Sequence, residues 1–130
     1  VATKPIKIIL AVPTGFIVWF VAATIVNLLV RALLSGYAEA EHTMQFTLPM
    51  LLARLAMGAV SSVVAGFTCA LIARADVLPV KILGGVLVLF FLPVHYSLWA
   101  QFPPWYHAIF LISLAPLVLA GGWVARVRGR

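Results

Sequence analysis

His42, His95 and His107 carry imidazoles, and Glu39 and Glu41 carry carboxylates, in a chain that is otherwise poor in such groups. Imidazole and carboxylate donors of this kind suit zinc or copper. No two of the histidines are four residues apart, the spacing that sets two imidazoles one above the other on a helix. They are therefore weak candidate ligands. Hydrogen bonds to backbone or water account better for interfacial histidines. No metal site, haem or other cofactor is expected. Cys69 is the single cysteine of these 130 residues, so they hold no internal disulfide, CxxC redox pair or thiolate cluster.

Asn27, Arg31 and Arg54 are polar residues set in or at the ends of apolar runs. An arginine at membrane depth is normally paired, or reaches its charge out to the interface. Glu39 and Glu41, in the segment between the first two runs, are the expected ion-pair partners of Arg31 and Arg54. The alternative use of Arg54 is to hold an anion or a lipid headgroup. A third pattern is steric. Arg54, Gly58, Ser62, Gly66, Ala70 and Arg74 recur every four residues, and Gly58–Ser62–Gly66 is a stripe of small side chains that lets helix backbones approach. A strict four-residue step drifts by about 40° per repeat on a helix of 3.6 residues per turn, so only about three members can face one neighbour. Ala11, Gly15, Trp19, Ala23, Asn27 and Arg31 form a looser column of the same kind. Packing of the first helix on the second, inside the chain, is the expected use of both; an interface with another chain is the alternative.

The elements that must position these residues are plain. Ile8–Val30, Leu55–Ala73, Ile82–Ala100 and Ala108–Ala125 contain no Asp, Glu, Lys or Arg. A bilayer-spanning helix needs about 20 apolar residues, which gives four crossings. Lipid cannot hydrogen-bond the backbone, so each run must be helical. The sequence predicts spans at about 6–34, 48–74, 78–100 and 105–126, forming one all-α domain: a polytopic, up-down bundle of four transmembrane helices. The first run is longer than the apolar core of a cleaved signal, and is read as a retained span. Pro49, Pro79, Pro103 and Pro104 mark helix starts, with Thr47 and Asp76 as caps, while Pro13, Pro93 and Pro116 fall inside spans and predict kinks.

With 65% hydrophobic and 9% charged residues, the composition excludes an ordinary soluble domain. The net charge of +6 does not indicate nucleic acid, because the basic residues flank spans instead of forming a patch. Lys4, Lys7, Arg74, Lys81, Arg126, Arg128 and Arg130, seven of the nine, share the side of the two termini. The positive-inside rule puts that side in the cytoplasm of an inner membrane, and Tyr37, Tyr96, Trp99, Trp105 and Tyr106 at the outer interface.

Catalysis is not expected. The first span has no carboxylate for proton-coupled antiport, no ionisable relay crosses the bilayer, and no P-loop, GxSxG or HExxH motif is present. Three readings follow: an accessory or assembly subunit of a larger membrane complex, with lipids and other transmembrane subunits as partners; a small carrier or lipid-handling protein with an outward-facing polar pocket around Arg54; and a metal or cofactor binder on the outer face. The first is the leading expectation.

Overall fold

A computed structural model of the chain describes residues 4–74 and 76–128. Arg130, counted above among the cationic residues near the termini, lies outside them, as does the side chain of Lys4. The fold is all-α. Four long helices, α1 (Lys4–Leu33), α3 (Leu48–Ala73), α4 (Leu78–Ser97) and α5 (Pro104–Arg128), are each long and apolar enough to cross a membrane. The bundle they form is that of a four-helix transmembrane protein. A short helix, α2 (Tyr37–Thr43), occupies what the sequence reading treats as a loop, and a single 3-10 turn, Trp99–Gln101, follows α4.

Helix starts fall where proline places them, with Thr47 at the N-cap of α3 as expected and Val77, one residue past the expected Asp76, at that of α4. Pro49 and Pro79 sit in the first turns of α3 and α4, where a missing N–H breaks no helical bond. Asp76 Oδ1 accepts the Leu78 N–H (3.0 Å) ahead of α4. Gly36, at φ +81°, makes the left-handed turn between α1 and α2 that a side chain would strain.

α3 is the central element, packed on one flank by α1 and on the other by α5, while α4 closes the bundle between α5 and α1. Ala65, Cys69, Leu83, Leu87, Leu114 and Val118 form its dry centre. The outer faces are apolar too: Leu33 is 82% and Ile112 is 73% exposed. Water would not tolerate so continuous an apolar surface, whereas hydrocarbon is indifferent to it.

With lipid around the helices, close packing must hold them together. The Gly58–Ser62–Gly66 stripe lies inside the chain, but not mainly against α1. A Cβ on Gly58 would meet the Phe110 ring of α5 (2.7 Å), and one on Gly66 would overlap the Val118 carbonyl of α5. Gly121 answers from α5, where a Cβ would overlap the Val63 carbonyl of α3. Only Ser62 faces α1: its hydroxyl accepts the Trp19 indole N–H (3.0 Å) and donates to the Gly58 carbonyl (2.7 Å). Gly15 supplies the remaining contact, with Ala65 and Cys69 of α3 and Leu83 of α4 against its bare Cα.

Candidate functional site

The bundle end away from the chain termini, here the distal end, gathers the side-chain network of Asn27, Arg31, Tyr37, Glu41, Arg54 and Tyr106, and the His95–His107 pair. The four-residue column of α1 explains why an opening forms there. Ala11, Gly15 and Trp19 are buried against the bundle, Ala23 and Asn27 are half-buried, and Arg31 is exposed. The drift of a four-residue step carries the column off its neighbour, and α1 and α3 part into a cleft of about 380 Å³. Asn27, Arg31, Glu41 and Arg54 supply its polar wall, and Ala23 and Met57 part of its apolar wall.

Glu41, on α2, is the anchor of this wall. It accepts two bonds from Arg31, Nε at 2.6 Å and Nη2 at 3.3 Å, and a third from Asn27 Nδ2 at 3.2 Å. Asn27 Oδ1 in turn accepts the Tyr37 hydroxyl (2.9 Å), and that hydroxyl accepts Arg54 Nη1–H (2.9 Å). Arg54 Nε donates to the Tyr106 hydroxyl (3.3 Å). The Arg54 guanidinium also lies 4.9 Å from the Phe46 ring centroid and 5.5 Å from that of Phe102, two rings that are themselves stacked. Such faces attract a cation.

This corrects the expected pairing. Glu41 contacts Arg31 and not Arg54, and the one salt bridge among the described residues is Arg31–Glu41. Glu39 is exposed, and its backbone carbonyl accepts the Thr43 hydroxyl (3.3 Å). The reason is geometric. α2 is helical, so Glu39 and Glu41, two residues apart, cannot point the same way. No hydrogen bond joins Arg54 to Glu41 directly; a chain of donors links them, Arg54 to Tyr37 to Asn27 to Glu41. The wall therefore holds two cations and one anion, with a net charge of +1, and Arg54 is satisfied by phenols and π faces alone.

The Glu41 carboxyl lies below its ordinary range. The hydrogen bond from Arg31 is the largest cause and the Asn27 amide adds to it, against a partial burial that acts the other way. A carboxylate favoured in the folded state stabilises it above the ordinary carboxylate pKa, and that contribution is lost as pH falls through the depressed folded value. Thermal unfolding in detergent should therefore show a falling midpoint on acidification from about pH 7 to below about pH 4. Glu41→Gln should start lower at neutral pH and show a shallower fall. A variant with the wild-type pH slope would remove Glu41 from this account.

The histidines divide. His95, near the end of α4, and His107, at the start of α5, face each other with Nδ1 atoms 2.7 Å apart, 7% and 1% exposed. His107 Nε2 lies 3.3 Å from the Trp99 carbonyl, which can only accept, so Nε2 carries a hydrogen. In the neutral ring Nδ1 is then the acceptor, and His95 donates its Nδ1–H to it. Trp99 stacks on His107 at 4.7 Å, and Phe91, Phe110 and Tyr106 surround His95. The pair links the ends of two helices across their turn. His42 is exposed on α2. Among the described residues no three His, Cys, Asp or Glu side chains come together to hold a metal ion.

The sequence places the histidines at one interface without singling out the His95–His107 contact, the roles of Tyr37 and Tyr106, or the aromatic seat of Arg54. One signal was available for the first. His95 and His107 are each six residues from Gln101, so an antiparallel turn centred there brings them to one height. Compared with protein-family models, with curated proteins and with solved structures, the chain finds no match in any of the three.

Proposed function

We propose that the chain is a small lipid-handling membrane protein that holds an anionic headgroup in the cleft between α1 and α3, with binding and not catalysis as its work. Its orientation in this reading follows the basic residues. The end bearing the termini faces the cytoplasm across an inner membrane, and the distal end faces outward.

The observation that carries the reading is the state of Arg54. It lines an open cleft, no carboxylate contacts it among the described residues, and Nη2 forms no hydrogen bond there. A guanidinium presents a planar fork that matches phosphate or carboxylate oxygens. Arg54 lies six residues into α3, about 9 Å from its start, a depth at which a lipid phosphate is within reach of a long side chain. The reading as an accessory subunit draws less from the fold, because the small-residue stripe that could seat another chain is consumed by α5 and α1.

Native mass spectrometry of the detergent-extracted protein tests the proposal. Wild type should retain an anionic phospholipid over a zwitterionic one of identical chains. Arg54→Gln should lose about tenfold or more of that preference, the scale of one hydrogen bond to a charged group. Equal retention of both lipids by the wild type would end the reading.

A further inference from the structure

A second groove runs on from the cleft. Its walls are two rows of α1 side chains, Phe16–Phe20–Thr24 and Ile17–Val21–Ile25, each stepping by four residues, and between them lies an open trough of about 380 Å³. The two spaces share Phe20 and Thr24. Phe16 and Phe20 both stand edge-on to Phe90 of α4, at 5.4 Å, which fixes one wall. Thr24 is the groove's one side-chain hydroxyl, and it is occupied, donating to the Phe20 carbonyl at 2.8 Å. Nothing in the lower groove asks for a polar partner. The whole runs from a cationic mouth to an apolar tail. Asn27 to Phe16 is eleven residues of helix, about 16 Å, and one leaflet of hydrocarbon is about 15 Å deep.

We infer that the continuous track along α1 seats one anionic phospholipid of the distal leaflet, with its phosphate at Arg54 and one acyl chain between the Phe16–Phe20–Thr24 and Ile17–Val21–Ile25 rows. The inference rests on the headgroup reading and adds the lipid's tail to it. The charge of the mouth selects the class. Arg31 and Arg54 outnumber Glu41, and Glu41 is already engaged by Arg31 and Asn27, so the mouth keeps a net positive charge that favours a phosphate carrying no ammonium of its own. A chain entering the groove leaves other chains, so the gain comes from packing against fixed walls and not from leaving water. The groove therefore tunes affinity for a long chain, while the mouth sets the charge preference.

The experiment crosses chain length with two sets of variants. Long-chain phosphatidylglycerol, its short-chain dibutyryl analogue and long-chain phosphatidylcholine are titrated against the full chain in detergent. Val21→Trp and Ile17→Trp fill the groove from exposed positions, where a larger side chain displaces no buried contact of the bundle. Each should weaken long-chain phosphatidylglycerol about fivefold and leave the short-chain analogue unchanged. Arg54→Gln should weaken both phosphatidylglycerols alike. If the tryptophan variants bind the long-chain lipid as wild type does, the tail track is wrong while the headgroup site stands. If neither phosphatidylglycerol is preferred over phosphatidylcholine, both ideas fall. Weakening of the short-chain analogue by the tryptophans would also overturn the track, because it would show a disturbed mouth.

Discussion

Gly66→Ala and Gly121→Ala each pull α3 away from α5, and each lowers the unfolding free energy of the bundle by about 3 kcal/mol or more. The magnitude follows from what the added methyl meets. At both positions it overlaps a backbone carbonyl of the facing helix, Val118 for Gly66 and Val63 for Gly121. A side chain could rotate out of the way, but a carbonyl moves only with its helix. Relief therefore requires the two axes to separate along their whole contact, and packing is what holds helices together in lipid. Gly85→Ala is the internal comparison. Nothing lies within 4 Å of its added methyl, and alanine is the better helix former by about 1 kcal/mol, so that variant should match or exceed wild type. Unfolding in mixed detergent, followed by circular dichroism, separates the outcomes. Equal stability of Gly66→Ala and Gly85→Ala would show that the α3–α5 contact is looser than described here.

The same contact shows which features sequence reveals and which it hides. The four long helices were legible because their cause is local: each apolar run must satisfy its own backbone in lipid. The small-residue stripe was legible for the same reason, since spacing along one helix is a property of that helix. Its partner was not. Which of three neighbours receives Gly58 and Gly66 depends on the azimuth of α3, which the drift of a four-residue step leaves open until the other helices are in place. α2 was hidden for a different reason. Seven residues with two glutamates and a histidine do not make a stable helix alone. Its stability comes from burying Tyr37 and Ala40 against Met50 of α3, a tertiary contact. Once α2 is helical, Glu39 and Glu41 diverge, and the expected pairing of both with arginines cannot hold. Arg54 was legible as a functional candidate by its type and depth. Its neighbours were not, because Tyr37, Phe46, Phe102 and Tyr106 converge on it from three separate segments.

Tyr37→Phe removes one oxygen and disconnects the distal network. Tyr37 is 1% exposed, so its ring stays packed and the loss is confined to the hydroxyl. That hydroxyl serves both as acceptor from Arg54 Nη1 and as donor to Asn27 Oδ1, each at 2.9 Å. Without it a guanidinium N–H and an amide carbonyl lose their partners in a half-buried setting, which costs about 1–3 kcal/mol. The consequence for Arg54 is larger than one bond. Glu41 draws on Asn27, Asn27 on Tyr37, and Tyr37 on Arg54, so the hydroxyl is the point at which a carboxylate on α2 polarises toward a cation on α3. A double-mutant cycle between Tyr37→Phe and Glu41→Gln measures that transmission. Tyr37→Phe leaves the Arg31–Glu41 ion pair intact, so the two changes share only the part of their cost that runs through Asn27, leaving a coupling of about 0.5–3 kcal/mol between side chains that do not touch. Effects that sum to within about 0.5 kcal/mol would mean that the Glu41 charge does not reach Arg54 through the Tyr37 hydroxyl. In the coupled case, Tyr37→Phe should also tighten anionic lipid at the cleft, because an arginine released from its relay has one more N–H to offer a phosphate.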